Sequence, residues 1–237
     1  MDTVKHKAQQ SEFWDKKAQV FPRYEEGDST YEAGMLDTAR SHGVVFKDAD
    51  VLDIGCGSGM YTIRIAKEAK SVTATDISSE MLRILNEDAK TNGVSNIKTM
   101  LCDWTEFEAD KKFDIIFCSM TPAIQSEERR AKILDYAGGY VVYMGFAGEM
   151  ESNILGAVYN HYGVQNKKMH DAPVMKEWLE KREIAFTAYP VKGEWVVVNG
   201  VTADDEVLAR YINPAADGKG MFVERTKYKI EMIIWHV

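Results

Sequence analysis

A three-layer α/β/α sandwich on a mostly parallel sheet is the fold this sequence predicts, and three observations predict it. From Val44 onward, short apolar runs alternate with segments of helical period, the pattern of strands joined by covering helices. One run, Val51-Leu-Asp-Ile-Gly-Cys-Gly-Ser-Gly59, passes from a strand into a turn poor in side chains and then into a helix. The next, Ser71-Val-Thr-Ala-Thr-Asp76, ends on a carboxylate about 20 residues past that turn. Doubly wound folds place the acid that meets ribose hydroxyls there.

The elements follow in order. Residues up to about Arg40 read as helical and rich in aromatics, with Phe13, Trp14, Phe21, Tyr24 and Tyr31. The first strand lies within Asp50 to Ile54, and Met60 to Ala69 continue at helical period. Between them Gly55, Gly57 and Gly59 permit positive φ and close ligand approach. Backbone N–H groups exposed at a helix N-terminus suit a phosphate or carboxylate. The dinucleotide fingerprint needs its third glycine at position 60, where Met60 stands, so the spacing is G-x-G-x-G.

The second strand falls within Ser71 to Thr75, and Ser78-Ser79-Glu80 supplies cap and first-turn chemistry for a helix to Lys90. That helix carries Met81, Leu82, Leu85 and Ala89 on one face and stops at Asn92-Gly93. Asn96 to Cys102 form a third strand, closed by Asp103-Trp104, and Phe113 to Cys118 a fourth, closed by Ser119. A helix from about Glu127 to Tyr136 is expected to end at Gly138-Gly139, before a fifth strand from Tyr140 to Phe146. Further on, Glu151 to His161 and Val174 to Lys181 read as helices, and Ile184 to Val198 as one or two strands around Gly193. Thr202 caps a helix to Ile212, Asn213 to Gly220 make a turn-rich loop, and Thr226 to His236 alternate as a closing strand.

Charge and cysteine usage bound the function. A net charge of −8 and a pI near 5.2 argue against a protein whose main task is gripping nucleic-acid phosphates. The basic pairs Lys16-Lys17, Arg129-Arg130 and Lys167-Lys168 read as solvated helix faces. The polar start, Met1-Asp-Thr-Val-Lys-His-Lys, lacks the apolar core of a signal peptide, and no apolar run approaches the roughly 20 residues a membrane span needs. Cys56, Cys102 and Cys118 fall in or beside core strands and read as buried, reduced thiols, which together with the polar start implies a cytoplasmic setting. No Cys/His cluster has zinc spacing, so no metal is expected.

The runs "VLDIGCGSG", "TATDISSEML", "LCDW" and "FDIIFCS", in this order and spacing, resemble the class I S-adenosylmethionine-dependent methyltransferases. The resemblance covers Val44 to Phe146 well and the flanks loosely. It implies a Rossmann-like sheet of order 3-2-1-4-5-7-6 with the last strand antiparallel, and S-adenosylmethionine as cofactor. It also implies one domain: 1–43 as a helical cover, 44–146 as the cofactor-binding core and 147–237 as an elaboration on the substrate side.

By this resemblance Gly55, Gly57 and Gly59 face the methionine part of the cofactor, and Asp53 anchors the loop or the cofactor's amino group. Asp76 takes the ribose hydroxyls, since a carboxylate accepts two hydrogen bonds from a vicinal diol; its plain alternative is a helix cap. Ile77 and Met81 either pack on the adenine or are helix–sheet core. Asp103 reads the adenine amino group, or makes an Asx turn, with Trp104 beside the ring. Ser119 lies near the reactive sulfonium, or is a loop serine without a role.

The acceptor side carries less information. Enzymes that methylate nucleobase amino groups carry Asn/Asp-Pro-Pro-Tyr/Phe after the fourth strand, whereas here Ser119-Met-Thr-Pro122 follows. A cytosine-C5 enzyme needs a Pro-Cys nucleophile, and Cys118 follows Phe117. Both absences favour a small-molecule acceptor. The alternatives are methylation of RNA or protein, a non-catalytic cofactor-binding protein, and a nicotinamide oxidoreductase, the last disfavoured by Met60 and Asp103-Trp104. Tyr159, His161, Tyr162 and His170, with His42, are the titratable side chains considered as a base. None is assigned a catalytic role.

Overall fold

The computed structural model describes residues 2–148, 150–163, 171–200 and 221–237. Two helices open the chain, α1 (Asp2–Ala18) and α2 (Tyr31–Ser41). Then come β1 (Asp50–Ile54), α3 (Met60–Ala66), β2 (Ser71–Asp76), α4 (Ser79–Thr91), β3 (Ile97–Leu101), β4 (Phe113–Ser119), α5 (Glu127–Tyr136) and β5 (Ala137–Phe146). The remainder is β6 (Glu151–Ser152), α6 (Leu155–Tyr162), α7 (Asp171–Glu180), β7 (Phe186–Gly200) and β8 (Met221–His236). Single turns of 3₁₀ helix follow β3 and β4, at Trp104–Glu106 and Pro122–Ile124.

The strands order as β3-β2-β1-β4-β5-β8-β6, with β7 also paired to β8. β1 pairs in parallel with β2 (Leu52 opposite Thr73) and with β4 (Leu52 opposite Ile116), and β2 with β3 (Ala74 opposite Thr99). Ala147 N–H bonds the Lys229 carbonyl while Val237 N–H bonds the Gly139 carbonyl. One index falls as the other rises, so β8 runs antiparallel to β5. The expected order is present, with β8 as the strand numbered seventh and β7 as the sixth, because the two-residue β6 intervenes.

The central strands are buried on both faces, as a covered parallel sheet requires. Val51, Leu52 and Ile54 of β1 and Ile116, Phe117 and Cys118 of β4 are fully buried. α4 forms where expected because Ser78 accepts the Met81 N–H at 3.1 Å, and its buried face places Leu82, Leu85 and Ala89 against Ile63 and Ala74. Met81 and Ile84 instead meet Ala18 of the N-terminal segment, with Trp14 and Phe21 packed alongside.

Two sequence expectations are corrected by the structure. Gly138 and Gly139 do not end the helix; α5 passes into β5 at Ala137, and the glycines lie inside the strand. A Cβ on Gly139 would stand 2.5 Å from the Asp114 carbonyl, so the reason for glycine is close approach of backbones. Glu151 and Ser152 are strand rather than helix. Of the one or two strands expected around Gly193 the chain makes one: β7 runs through it, with the Tyr228 hydroxyl 2.2 Å from where a Cβ would be. The helix placed at Thr202–Ile212, the 213–220 loop and His170 lie outside the described residues.

The chain divides into two compact units, 1–143 with 178–187 and 233–237, and 144–177 with 188–232. In the second, Asn153 and Arg225 exchange hydrogen bonds at the end of the β6–β8 ladder, and Lys176 pairs with Glu231 at 2.6 Å. Among the described residues no helix is long and apolar enough to cross a membrane.

Candidate active site

The sheet order reverses between β1 and β4, since the chain builds outward from β1 to β2 and β3 and then returns to the other side. Open α/β sheets hold ligands in the crevice at the carboxyl ends of strands beside such a reversal. A cavity of about 140 Å³ lies there in the first unit. Asp53, Gly55, Cys56 and Gly57 line it at and beyond the end of β1, Asp76 and Ile77 at that of β2, Cys102, Asp103 and Trp104 beyond β3, and Ser119 to Ala123 at and beyond the end of β4.

Asp76 organises the glycine turn as well as facing the cavity. One carboxylate oxygen accepts the Gly57 N–H at 2.9 Å and the other the Ser78 N–H at 2.8 Å. Burial pushes its carboxyl upward in pKa; the N–H groups of Ser78, Gly57 and Ile77 oppose this, and Asp15 adds to it. Gly57 has φ of 54°, and only the Phe21 ring, 3.7 Å from a notional Cβ, covers it.

Asp53 is 2% exposed and accepts the Thr62 hydroxyl at 2.6 Å. Burial raises its pKa from 3.8 to about 7, against the Thr62 hydrogen bond and with help from the Asp76 charge. Burial likewise raises the thiols of Cys56 and Cys118, so neither is a ready thiolate nucleophile. Only Cys118 is fully buried; Cys56 and Cys102 are half-buried in the cavity wall, which corrects the reading of three core thiols.

The other glycines of the turn divide in role. Gly55 (φ 69°) carries Thr121 where its side chain would be, with Thr121 Oγ1 2.0 Å from a Cβ. Gly59 is not part of the cavity wall: its Cβ would stand 2.2 Å from Leu85 Cδ1, so packing of α3 on α4 requires the glycine.

Asp103 accepts the N–H and hydroxyl of Thr105 at 2.8 and 2.7 Å, the Asx turn weighed from sequence, and still faces the cavity. Trp104 is 2% exposed, stacks on Phe107 and donates its indole N–H to the Arg129 carbonyl at 2.8 Å. Ile77 and Met81 both line the cavity, and Met81 is also core. Ser119 Oγ is buried and makes no hydrogen bond among the described residues. Met120, next to it, holds φ of 47°, a strained backbone of the kind that collects at functional sites.

Besides the site residues named from sequence, the N-terminal segment and Arg129 line the cavity wall. Gln10, Trp14 and Phe21 of the N-terminal segment roof the cavity, and Ser11 and Asp15 bond the β2–α4 turn beneath. Aromatic density was the available signal for two of these. Arg129, taken for a solvated helix residue, is half-buried in the wall and bonds Asp103 at 3.0 Å. Tyr159, His161 and Tyr162 lie in the second unit, and Tyr162 is 51% exposed.

Residues 51–138 match the family model described as a methyltransferase domain. The ubiquinone biosynthesis O-methyltransferase of Rickettsia felis is 24% identical over 186 residues, covering 70% of this chain and 75% of that protein. The ribosomal protein L11 methyltransferase of Chromohalobacter salexigens is 28% identical over 153 residues, 64% of this chain; the match spans only 49% of that relative. Among solved structures, magnesium protoporphyrin IX methyltransferase from Synechocystis PCC 6803 with bound S-adenosylhomocysteine superposes with a TM-score of 0.55 at 14% identity, over 94% of this chain and 98% of that one. Residues 51–138 are a methyltransferase domain, and the sheet order and the run of motifs are those that the resemblance to class I S-adenosylmethionine-dependent methyltransferases implies.

Proposed function

We propose that the cavity holds S-adenosylmethionine across the carboxyl ends of β1 to β4 and delivers its methyl group to a small-molecule acceptor. The observation that carries this reading is Asp76. Its carboxylate stands at the end of β2, anchored by two backbone N–H groups and still open to the cavity, as a vicinal diol requires. From there Ile77 and Met81 offer apolar surface to a base, and Asp103 stands one strand further out to meet its amino group, with Trp104 behind. Asp53, Gly55 and Gly57 are left for the amino-acid end; Gly59 belongs to the turn by packing. Ser119, with its unsatisfied hydroxyl, stands at the end of β4 for the reacting end.

The cofactor supplies an activated methyl on a sulfonium. The chain's part is alignment and exclusion of water, with Trp14 and Phe21 as roof. A small acceptor is supported by the net charge of −8 and by Ser119-Met-Thr-Pro122 in place of a nucleobase-amino motif. The half-buried free thiols agree with a cytoplasmic setting. We keep the three-part organisation, cover 1–43, core 44–146 and elaboration 147–237, as part of the same proposal. Isotope-labelled S-adenosylmethionine, incubated with the protein and separated metabolite, RNA and protein fractions, tests the acceptor class. Label is expected in low-mass products; label confined to RNA or protein would overturn that choice.

A further inference from the structure

We propose that Arg129 sets which base the cavity accepts, by holding Asp103 as a fixed carboxylate that can only accept hydrogen bonds. The inference rests on the reading of Asp103 as the residue that meets the base edge. The Asp103 side chain is 3% exposed and that of Arg129 24% exposed, so both work largely out of water. Thr105 gives one Asp103 oxygen two donors, and Arg129 Nη2 stands 3.0 Å from both oxygens and donates to the other. The second arm of the guanidinium, Nη1, donates to the Ala123 carbonyl at 3.0 Å, in the turn after β4. The Arg129 backbone is itself held, because its carbonyl accepts the Trp104 indole N–H.

One planar fork is thus fixed between two segments of the cavity rim, and the carboxylate it grips cannot turn without breaking three bonds. Every protein neighbour of Asp103 in this set is a donor, so the carboxylate presents only lone pairs to the cavity. An exocyclic amino group offers a proton to such a surface. A keto oxygen at the same place sets lone pair against lone pair, and a site built to bond a donor rejects the analogue lacking it. Lysine keeps the charge but not the two-point fork, so it is expected to hold Asp103 less firmly.

The test compares dissociation constants, by calorimetry, for S-adenosylhomocysteine and S-inosylhomocysteine, which differ in an amino against a keto group on the base. The unaltered chain is expected to prefer the amino ligand by about tenfold or more. Arg129→Ala should shrink that preference to about threefold or less, and Arg129→Lys should fall between. General loosening of the fold weakens both ligands alike and leaves the ratio unmoved, so the ratio reports positioning. Where Arg129→Ala unfolds, the ratio in Arg129→Lys carries the test. An unchanged ratio in the folded variants would overturn the proposal, as would equal binding of both ligands by the unaltered chain, which leaves the ribose assignment standing. Failure of the unaltered chain to bind either ligand would overturn the site reading and the proposal with it.

Discussion

The two ends of the cavity treat their carboxylates in opposite ways. At the outer end Asp103 has a cation of its own: burial alone would raise its pKa, but the Thr105 donors and Arg129 prevail and hold it below the ordinary value. At the inner end the leading influences on Asp53 and Asp76 include no cation, and burial raises both. The outer end is electrostatically complete within the protein. The inner end holds two acids, Asp53 buried and Asp76 half-buried, 23 positions apart in sequence, whose desolvation is offset chiefly by hydroxyl and N–H donors. A ligand that brings hydroxyl donors and an ammonium group answers that deficit, which is the sense in which the fold and the proposed cofactor fit.

The largest effect is expected at Asp76. Asp76→Ala removes two hydrogen bonds to a charged acceptor, about 1.5–3 kcal/mol each, so S-adenosylhomocysteine should bind on the order of 100-fold more weakly or worse. The unliganded chain should lose stability more modestly, because the Gly57 and Ser78 N–H groups lose their acceptor. Calorimetry with unchanged affinity would reduce Asp76 to a structural cap.

Asp53 tests the inner end through pH. Its folded pKa is raised from 3.8 to about 7, so between those values the native state holds a proton that the unfolded chain has lost. Stability therefore falls as pH rises from about 4 to about 7 and is level above. Affinity for a ligand with an ammonium group should move the other way, rising through pH 7 as Asp53 ionises. Asp53→Asn is expected to flatten both slopes. Denaturant midpoints and dissociation constants across pH 5 to 8 measure them, and parallel profiles for both proteins would remove Asp53 from the account.

Within the glycine turn the expected effects are smaller. Gly59→Ala meets Leu85 at a φ of 87°, and should cost about 1–3 kcal/mol of stability with little change in ligand affinity once folded. Gly57→Ala has room beside Phe21, so stability should suffer less and affinity more. Reversed outcomes would exchange their roles.

Most of this frame was legible in the sequence because it is local. The bounds of β1, β2 and β4 follow from apolar runs ended by charged or small residues, and α4 from its cap and spacing. Asp76 and the glycine turn were legible for the same reason. What failed was long-range. Arg129 belongs to an exposed-looking Glu-Glu-Arg-Arg run, and nothing within it tells that Asp103, 26 positions away, is its partner. Gly138-Gly139 read as a helix stop because the carbonyl that excludes a side chain belongs to β4. The packing demand on Gly59 was hidden in the same way, because Leu85, which its Cβ would meet, is 26 positions away in α4.

The smallest effect concerns the roof. Trp14 and Phe21 pack on Met81 and Ile84, yet also face the cavity. If they close over the cofactor, hydrogen exchange across residues 13–24 should slow when S-adenosylhomocysteine is added; equal protection in both states would make them permanent core.

The acid-rich inner end, electrostatically incomplete without a ligand, is the proposed S-adenosylmethionine site. Titration calorimetry of the unaltered chain with S-adenosylhomocysteine and, separately, with NAD tests it most directly. Saturable one-to-one binding of S-adenosylhomocysteine and none of NAD is the expected result. Binding of NAD with no heat from S-adenosylhomocysteine would contradict the account.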